Sequence, residues 1–450
     1  MEPQYSWSWV EARVGESIEV WNDCAARSLP LSPRYTLKEQ RKHEEAYDKA
    51  LGAVQREARR TERTTFGKQL AQKRIVALFP RFASVALGLE GESVRLLTDG
   101  FLSIAAQFAR WARSFDSTLS MDDIIQACRN AWTACGLQPL LGQPMILTPA
   151  IIGYSLLYPY SDNYLDHPRL SRSAKLHFSE RFRQRLRGQL HPPCNSHEAA
   201  VWTMVQMIEN QYPRLLFPQV YDCLLAIHQA QEQSIAQLDF SNRFGHSGKT
   251  IDLLQISCAK GGTSVLADAC LARPLLTPEE SSASFLWGVL LQLGDDLQDV
   301  HEDLRRGSVT LFTLAAAEGR PLDSLVQQLL DLSEHVADRM ELLPHGSDTL
   351  KNLLRMSWRS LIHMAVAETQ QFFSAEFLAQ LEPCSLFRFS FLRSRNEKLT
   401  GRQALYATLF DAILGAAPSE EIQLPLPVES YPAPDLDPAA ELTVLSNSFA

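Results

Sequence analysis

Apolar residues return every three or four positions along most of the chain, the spacing that gathers them on one face of a helix. No stretch alternates apolar and polar residues convincingly at every second position, as a half-buried strand would, and no internal repeat recurs at a fixed period. The pattern therefore predicts an all-α protein. Residues 34–73 are dense in charge of both signs and predict one or two long solvent-facing helices. Residues 75–112 carry apolar side chains at helical spacing, interrupted at Gly88, Gly91 and Gly100. A helix over 120–135 opens with Ser120 as its cap, and Asp122 and Asp123 suit its positive N-terminal end. A Gly- and Pro-rich loop, 136–149, precedes an almost wholly apolar segment, 151–160. Helices are further expected over 198–217, 219–239, 251–272, 282–304, 308–317, 322–343 and 348–373. Lys260-Gly261-Gly262 is expected to break the fifth-last of these, because glycine inside a helix costs about 1 kcal/mol relative to alanine.

Composition adds limits. The chain has 450 residues, of which 45% are hydrophobic, enough for a large core. Its organisation reads as an N-terminal arm with Trp7, Trp9 and Trp21 (1–35), an N-terminal helical region (36–140), a main helical domain (141–415), and a tail (416–450). From Pro418 onward there are six prolines and no Lys or Arg, which predicts disorder. A net charge of −9 argues against nucleic acid as a main partner. The eight cysteines form no Cys-x-x-Cys pair and read as reduced thiols of a cytoplasmic protein. No basic region opens the sequence, so no signal peptide is expected, and no run of eighteen apolar residues predicts a membrane span.

The candidate chemistry lies at the polar ends of two apolar segments. In 291–307, five carboxylates fall within nine residues, and Asp295, Asp299 and Asp303 stand four apart on one helix face. Each step is about 6 Å of rise, and like charges at that spacing destabilise a helix. A cation between them relieves the repulsion, and oxygen-only ligands suit Mg²⁺ better than zinc. An ordinary solvated acidic face is the competing explanation. Asp162 and Asp166 repeat the spacing of four directly after the apolar segment 151–160. Two such helices face to face would form a deep apolar cavity ringed by carboxylates, fit for a hydrocarbon with a polyanionic head. Tyr154 and Tyr158 lie below Asp162 on its face, as cavity lining or as plain core, and Trp287, Gly288 and Leu291 lie beneath Asp295 as expected cavity wall. An aromatic face there would stabilise a nearby cation. Seven basic residues between Arg169 and Arg187 follow the first acidic pair. Arg169 and Arg172, nearest in sequence, are the candidates for anion contact, with Lys260, a lysine in an apolar helix that needs an anionic partner. Gly248-Lys249-Thr250 lacks the earlier glycine and the preceding strand of a phosphate loop, so nucleotide binding is rejected.

At these residues the chain resembles the class I isoprenoid synthases, whose two aspartate-rich motifs sit on facing helices. Residues 291–307 are similar to the second motif of squalene and phytoene synthases, onto which Asp299 and Asp303 map. Asp295-Asp296-Leu297-Gln298-Asp299 also reads as the DDxxD of linear prenyl diphosphate synthases. Asp295, Asp299 and Asp303 fall where cyclising terpene synthases place their Asn, Ser and Glu ligands. Asp162 and Asp166 match the first motif loosely, with Asn163 in place of its second acid. Residues 258–264 are similar to the lysine-containing helix break of large-substrate terpene synthases related to tetraprenyl-curcumene synthase. The resemblance covers about 150–312 and implies a bundle of antiparallel helices around a central apolar cavity. It implies a prenyl diphosphate substrate and Mg²⁺, three ions in the family, held by Asp162, Asp166, Asp295, Asp296, Asp299 and Asp303. Catalysis would then fall to Asp162, Asp166, Asp295, Asp299 and Lys260, giving a cyclising terpene synthase, with peripheral membrane contact consistent with so apolar a substrate. A head-to-head synthase is the alternative; it lacks its usual arginine at Tyr160-Ser161. A chain-elongating synthase would want a double arginine where only the spaced Arg169 and Arg172 occur, and a non-enzymatic helical scaffold is the reading from outside catalysis.

Overall fold

The computed structural model describes residues 4–24, 34–58, 65–166, 170–234 and 253–400; within these the side chains of residues 58, 65–73, 75–76, 158, 162, 163, 166 and 396–400 lie outside what is described, among them Tyr158, Asp162, Asn163 and Asp166. The expected tail 416–450, Arg169 and the segment 243–250 also lie outside the described residues. Among the described residues every regular element is helical and no strand occurs. In chain order the helices are α1 (Trp7–Asp23), α2 (Leu37–Ala58), α3 (Thr65–Leu87), α4 (Gly91–Arg95), α5 (Ser103–Phe115), α6 (Met121–Leu140), α7 (Pro149–Asp166), α8 (Arg172–Leu186) and α9 (Ser196–Gln211). They continue with α10 (Pro218–Ser234), α11 (Leu253–Ala272), α12 (Pro278–Gln298), α13 (Val300–Arg306), α14 (Leu311–Ala317), α15 (Asp323–Glu341), α16 (Asp348–Glu368), α17 (Ala375–Leu381) and α18 (Phe389–Thr400). Among the described residues no helix is long and apolar enough to cross a membrane.

Local chemistry sets the ends. Ser120 and Asp123 cap α6 reciprocally, and Thr277 and Glu280 do the same for α12, with Pro278 at its first turn. Gly307 stops α13 with a φ of 78°, a left-handed conformation that glycine adopts without steric cost. Of the three interruptions expected in 75–112, those at Gly88 and Gly91 separate α3 from α4. Gly100 instead sits in a π-helical stretch, Leu96–Leu102, that joins α4 to α5.

The centre of the bundle is α11, flanked by α12, α10, α6, α7 and the N-terminal α1. It is buried nearly all round, so no apolar stripe needs to be singled out in its sequence. The expected break at Lys260-Gly261-Gly262 does not occur: α11 runs unbroken through it. Those glycines serve a close helix crossing. A Cβ on Gly261 would overlap the Gly288 carbonyl of α12, a Cβ on Gly288 would overlap the Gly261 carbonyl, and one on Gly262 would overlap the Phe285 ring. The cost of two glycines in a helix is offset by backbones that touch where side chains would hold them apart.

Contacts along α11 set the directions of its neighbours. Gly288 meets Gly261 and Asp296 meets Ser257, so α12 is antiparallel to α11. The start of α7 meets the end of α9 through Ala150 N–H and Gln211, and Tyr212 donates to the Leu271 carbonyl near the end of α11. Tyr154, one turn into α7, donates to the Ser264 carbonyl at 3.1 Å, so α7 is antiparallel to α11 as well. The C-terminal, acidic ends of α7 and α12 thus emerge at the same end of the bundle. One continuous core of buried side chains, from Tyr5 in the N-terminal arm to Phe389 in α18, spans both helical regions expected from the sequence.

Gly288→Ala tests the crossing. Helix propensity alone would favour alanine by about 1 kcal/mol, whereas overpacking against fixed backbone costs about 1–3 kcal/mol. A lowered melting temperature is expected in thermal unfolding followed by circular dichroism; a raised one would show that the backbones do not touch there.

Candidate active site

The second acidic cluster is carried over the junction of α12 and α13. The Asp299 amide donates to the Asp295 carbonyl and the Asp303 amide to the Asp299 carbonyl, both at 2.9 Å. The helical bonding therefore continues through Asp299, and Asp295, Asp299 and Asp303 keep one face. Asp296 points elsewhere. It is buried against α11, where its two oxygens accept from the Ser257 hydroxyl at 2.7 Å and the Gln292 amide at 2.8 Å. Expected as a metal ligand, it stands here as a satisfied carboxylate between α11 and α12. Burial pushes it up to about 6, against the two hydrogen bonds and the Lys260 charge, which pull it down.

Opposite the row stands Arg129 of α6. Its guanidinium donates to Asp295 Oδ1 at 2.7 Å, with both side chains 46% exposed. Asp299 reaches solvent, yet desolvation by the surrounding protein and then the charges of Asp295 and Asp303 push it up to about 6, while Arg129 pulls it down. Asp303 is raised by burial and by Glu302, against Arg306 and Lys260. Lys260 is half-buried on α11, close enough to Asp296 and Asp303 to lower both. Arg129 had no place in the candidate set read from sequence. Its signal was there: it is the one basic residue of α6.

The remaining candidates divide by what they touch. Tyr154 is buried with its hydroxyl on Ser264. Trp287 is buried with its ring edge-on to Trp358 of α16, centroids 5.2 Å apart, so it is wall towards α16; its indole N–H has no hydrogen-bond partner. Leu291 is half-buried against the core. The backbone of α7 carries Tyr158, Asp162 and Asp166 at steps of four from Tyr154, on towards the acidic end; their side chains lie outside what is described. Arg172 is exposed in the first turn of α8. Further along α8, Arg181, Arg183 and Arg185 are engaged by Glu198, Glu180 with Glu232, and Glu209, so three of the seven basic residues hold helices together.

Among the described residues no three side chains of His, Cys, Asp or Glu converge closely enough to hold an ion by themselves. Asp295, Asp299 and Asp303 climb the helix instead of meeting at a point. As donors they fit a hard cation: all are carboxylates, and repulsion between neighbours is relieved by binding one. Further oxygens would have to come from Asp162 and Asp166 or from a ligand. No family model matches the chain, and no curated protein and no solved structure matches it.

The buried state of Asp296 has a measurable consequence. Its folded pKa of about 6 lies above the usual carboxylate value, so the folded state binds the extra proton between roughly pH 4 and 6. Stability is therefore present in full below that window and is lost as pH rises through it, by about 3 kcal/mol in order of magnitude. Asn at 296 keeps an acceptor for Gln292 and can donate to Ser257. Asp296→Asn is expected to raise the melting temperature at pH 7.5 and to leave it unchanged near pH 4, measured by differential scanning calorimetry across pH.

Proposed function

We propose that the chain is a class I terpene synthase, an α-helical bundle that ionises a prenyl diphosphate and guides the resulting carbocation to a cyclised or rearranged product. The observation that carries this reading is the meeting, at one end of the bundle, of the acidic ends of α7 and α12 with Lys260 and Arg129. A polyanion bound there finds two cations, on α6 and α11, and a hydrocarbon attached to it points towards an apolar helical interior.

Asp162, Asp166, Asp295, Asp299 and Asp303 would hold Mg²⁺, which when bound supplies Lewis-acid stabilisation to a departing diphosphate. The chain's own residues do the rest. Lys260 extends from a helix packed on five neighbours, so its charge is positioned before the substrate arrives. Arg129 loses little by releasing Asp295, because a half-exposed ion pair is worth about 0–1 kcal/mol, and its guanidinium can turn to a diphosphate oxygen. The apolar packing of α7, α11 and α12 excludes water, which would otherwise quench the cation. A non-enzymatic helical scaffold is the second reading, favoured by the bonds that already occupy Asp295 and Asp296.

Incubation with geranyl, farnesyl, geranylgeranyl and geranylfarnesyl diphosphates and Mg²⁺, followed by gas chromatography–mass spectrometry, decides between them. Hydrocarbon or alcohol products are expected, and none after chelation with EDTA. A doubled chain would mark a head-to-head synthase, a longer diphosphate a chain-elongating one, and no turnover the scaffold. Asp299→Ala is expected to lower kcat by about 100-fold or more, the range seen when a transition-state charge partner is removed. Near-normal turnover of that variant would rule out its role. Arg129→Ala is expected to raise KM several-fold while leaving the melting temperature within a degree or two, read from steady-state kinetics and thermal unfolding.

A further inference from the structure

Two cysteines far apart in sequence meet in the core where α10 packs on α11. Cys223 of α10 and Cys270 of α11 are both fully buried, and their sulfurs stand 2.9 Å apart. Non-bonded sulfurs ordinarily keep more distance, and a disulfide needs about 2.05 Å, so less than about 1 Å of approach separates this pair from a covalent bond.

The pair is covered by the N-terminal arm. The Tyr5 hydroxyl lies against Cys270 and is 3.0 Å from the Ser281 hydroxyl, and Tyr5 itself is buried. The Gln4 amide donates to Asp222, the neighbour of Cys223, at 3.1 Å. Trp9 packs edge-on to Tyr5 and to Phe285 of α12, which fixes the arm across α11 and α12. With the arm seated, burial holds the Cys223 thiol well above its ordinary pKa, so thiolate is scarce and attack is slow.

We propose that Cys223 and Cys270 are a disulfide-forming site, closed by a peroxide-class oxidant at a rate set by the lifting of the N-terminal arm. In the first step one thiol attacks hydrogen peroxide: an S–O bond forms, the O–O bond breaks, and water leaves with the thiol proton. In the second, the other thiol attacks the sulfenic sulfur: the S–S bond forms, the S–O bond breaks, and a second water leaves. Two thiols and one peroxide become one disulfide and two waters. The product ties α10 to α11 across 47 residues of chain and restricts the unfolded state accordingly. It would stiffen the helix that carries Ser257 and Lys260. The inference goes beyond the proposed activity and does not depend on it.

The test uses the full chain with the two surface-accessible thiols removed, Cys194→Ser together with Cys384→Ser, so that they do not consume the oxidant. Treatment with hydrogen peroxide, denaturation in an alkylating agent and non-reducing peptide mass spectrometry should yield a Cys223–Cys270 cross-linked peptide that dithiothreitol removes. The oxidised protein should melt several degrees higher than the reduced one. Tyr5→Ala should speed the appearance of the cross-link by about tenfold, as expected when a local opening is made easier. Sulfinic or sulfonic acid at either cysteine without the cross-link overturns the proposal, as does complete resistance to peroxide in the Tyr5→Ala chain. Equal rates with and without Tyr5 overturn the role given to the arm. Unmodified cysteines elsewhere in the core provide the internal control, and the mapping of the parent chain needs no core variant to fold.

Discussion

The contact of bare backbones at Gly261 and Gly288 is the constraint on which the rest of the bundle depends. Hydrogen atoms in place of side chains let α11 and α12 approach until their carbonyls and α-carbons touch. That crossing fixes the register of the two helices. One turn and two turns further along α12 from Gly288, Gln292 and Asp296 fall against α11, where Ser257 receives Asp296. With Asp296 turned in, Asp295, Asp299 and Asp303 are held to one side of the helix and cannot rotate into the core without breaking buried hydrogen bonds. A buried carboxylate is costly unless its lone pairs are satisfied, so Asp296 acts as a register mark as much as a charge.

The electrostatics of the acidic end follow from this placement. Three carboxylates at steps of four repel one another, and the protein offsets them from two other helices, with Arg129 on α6 and Lys260 on α11. Desolvation first, and then the repulsion that this offset leaves, push Asp299 up to about 6. A site of this kind is preorganised for an added cation or for an anion that brings one. The basic stretch of α8 has a different fate. Arg181 and Arg185 pair with Glu198 and Glu209 on α9, in surroundings where a lone charge would be expensive, and so hold helices together.

The N-terminal arm belongs to the same architecture. α1 lies over α11, α12 and α15, and Tyr5, just ahead of it, reaches the thiols between α10 and α11. A helix as fully buried as α11 needs cover on every side, and α1 supplies the side that the other neighbours leave open.

Much of the helical content was legible along the chain, because helix ends are made by neighbouring residues: Ser120 with Asp123, Thr277 with Glu280, and glycine at 307 are local devices. The three aspartates of one helix face were legible for the same reason, since a spacing of four has one meaning in a helix. Lys260-Gly261-Gly262 was misleading on its own. Two glycines in a row read as a break, and only the facing glycine at 288, twenty-six residues on, turns them into a crossing. Asp296 was indistinguishable from Asp295 in sequence, because adjacent residues differ by about 100° of rotation and which one meets a neighbour is decided by that neighbour. Arg129 stood 166 residues from the aspartate it pairs with. The sequence by itself determined the helices, their caps and the acidic row, all of which depend on contacts within a few residues. Tertiary structure alone decided which carboxylates are buried, which cations face them and which thiols meet, because those depend on helix crossings that no local spacing encodes.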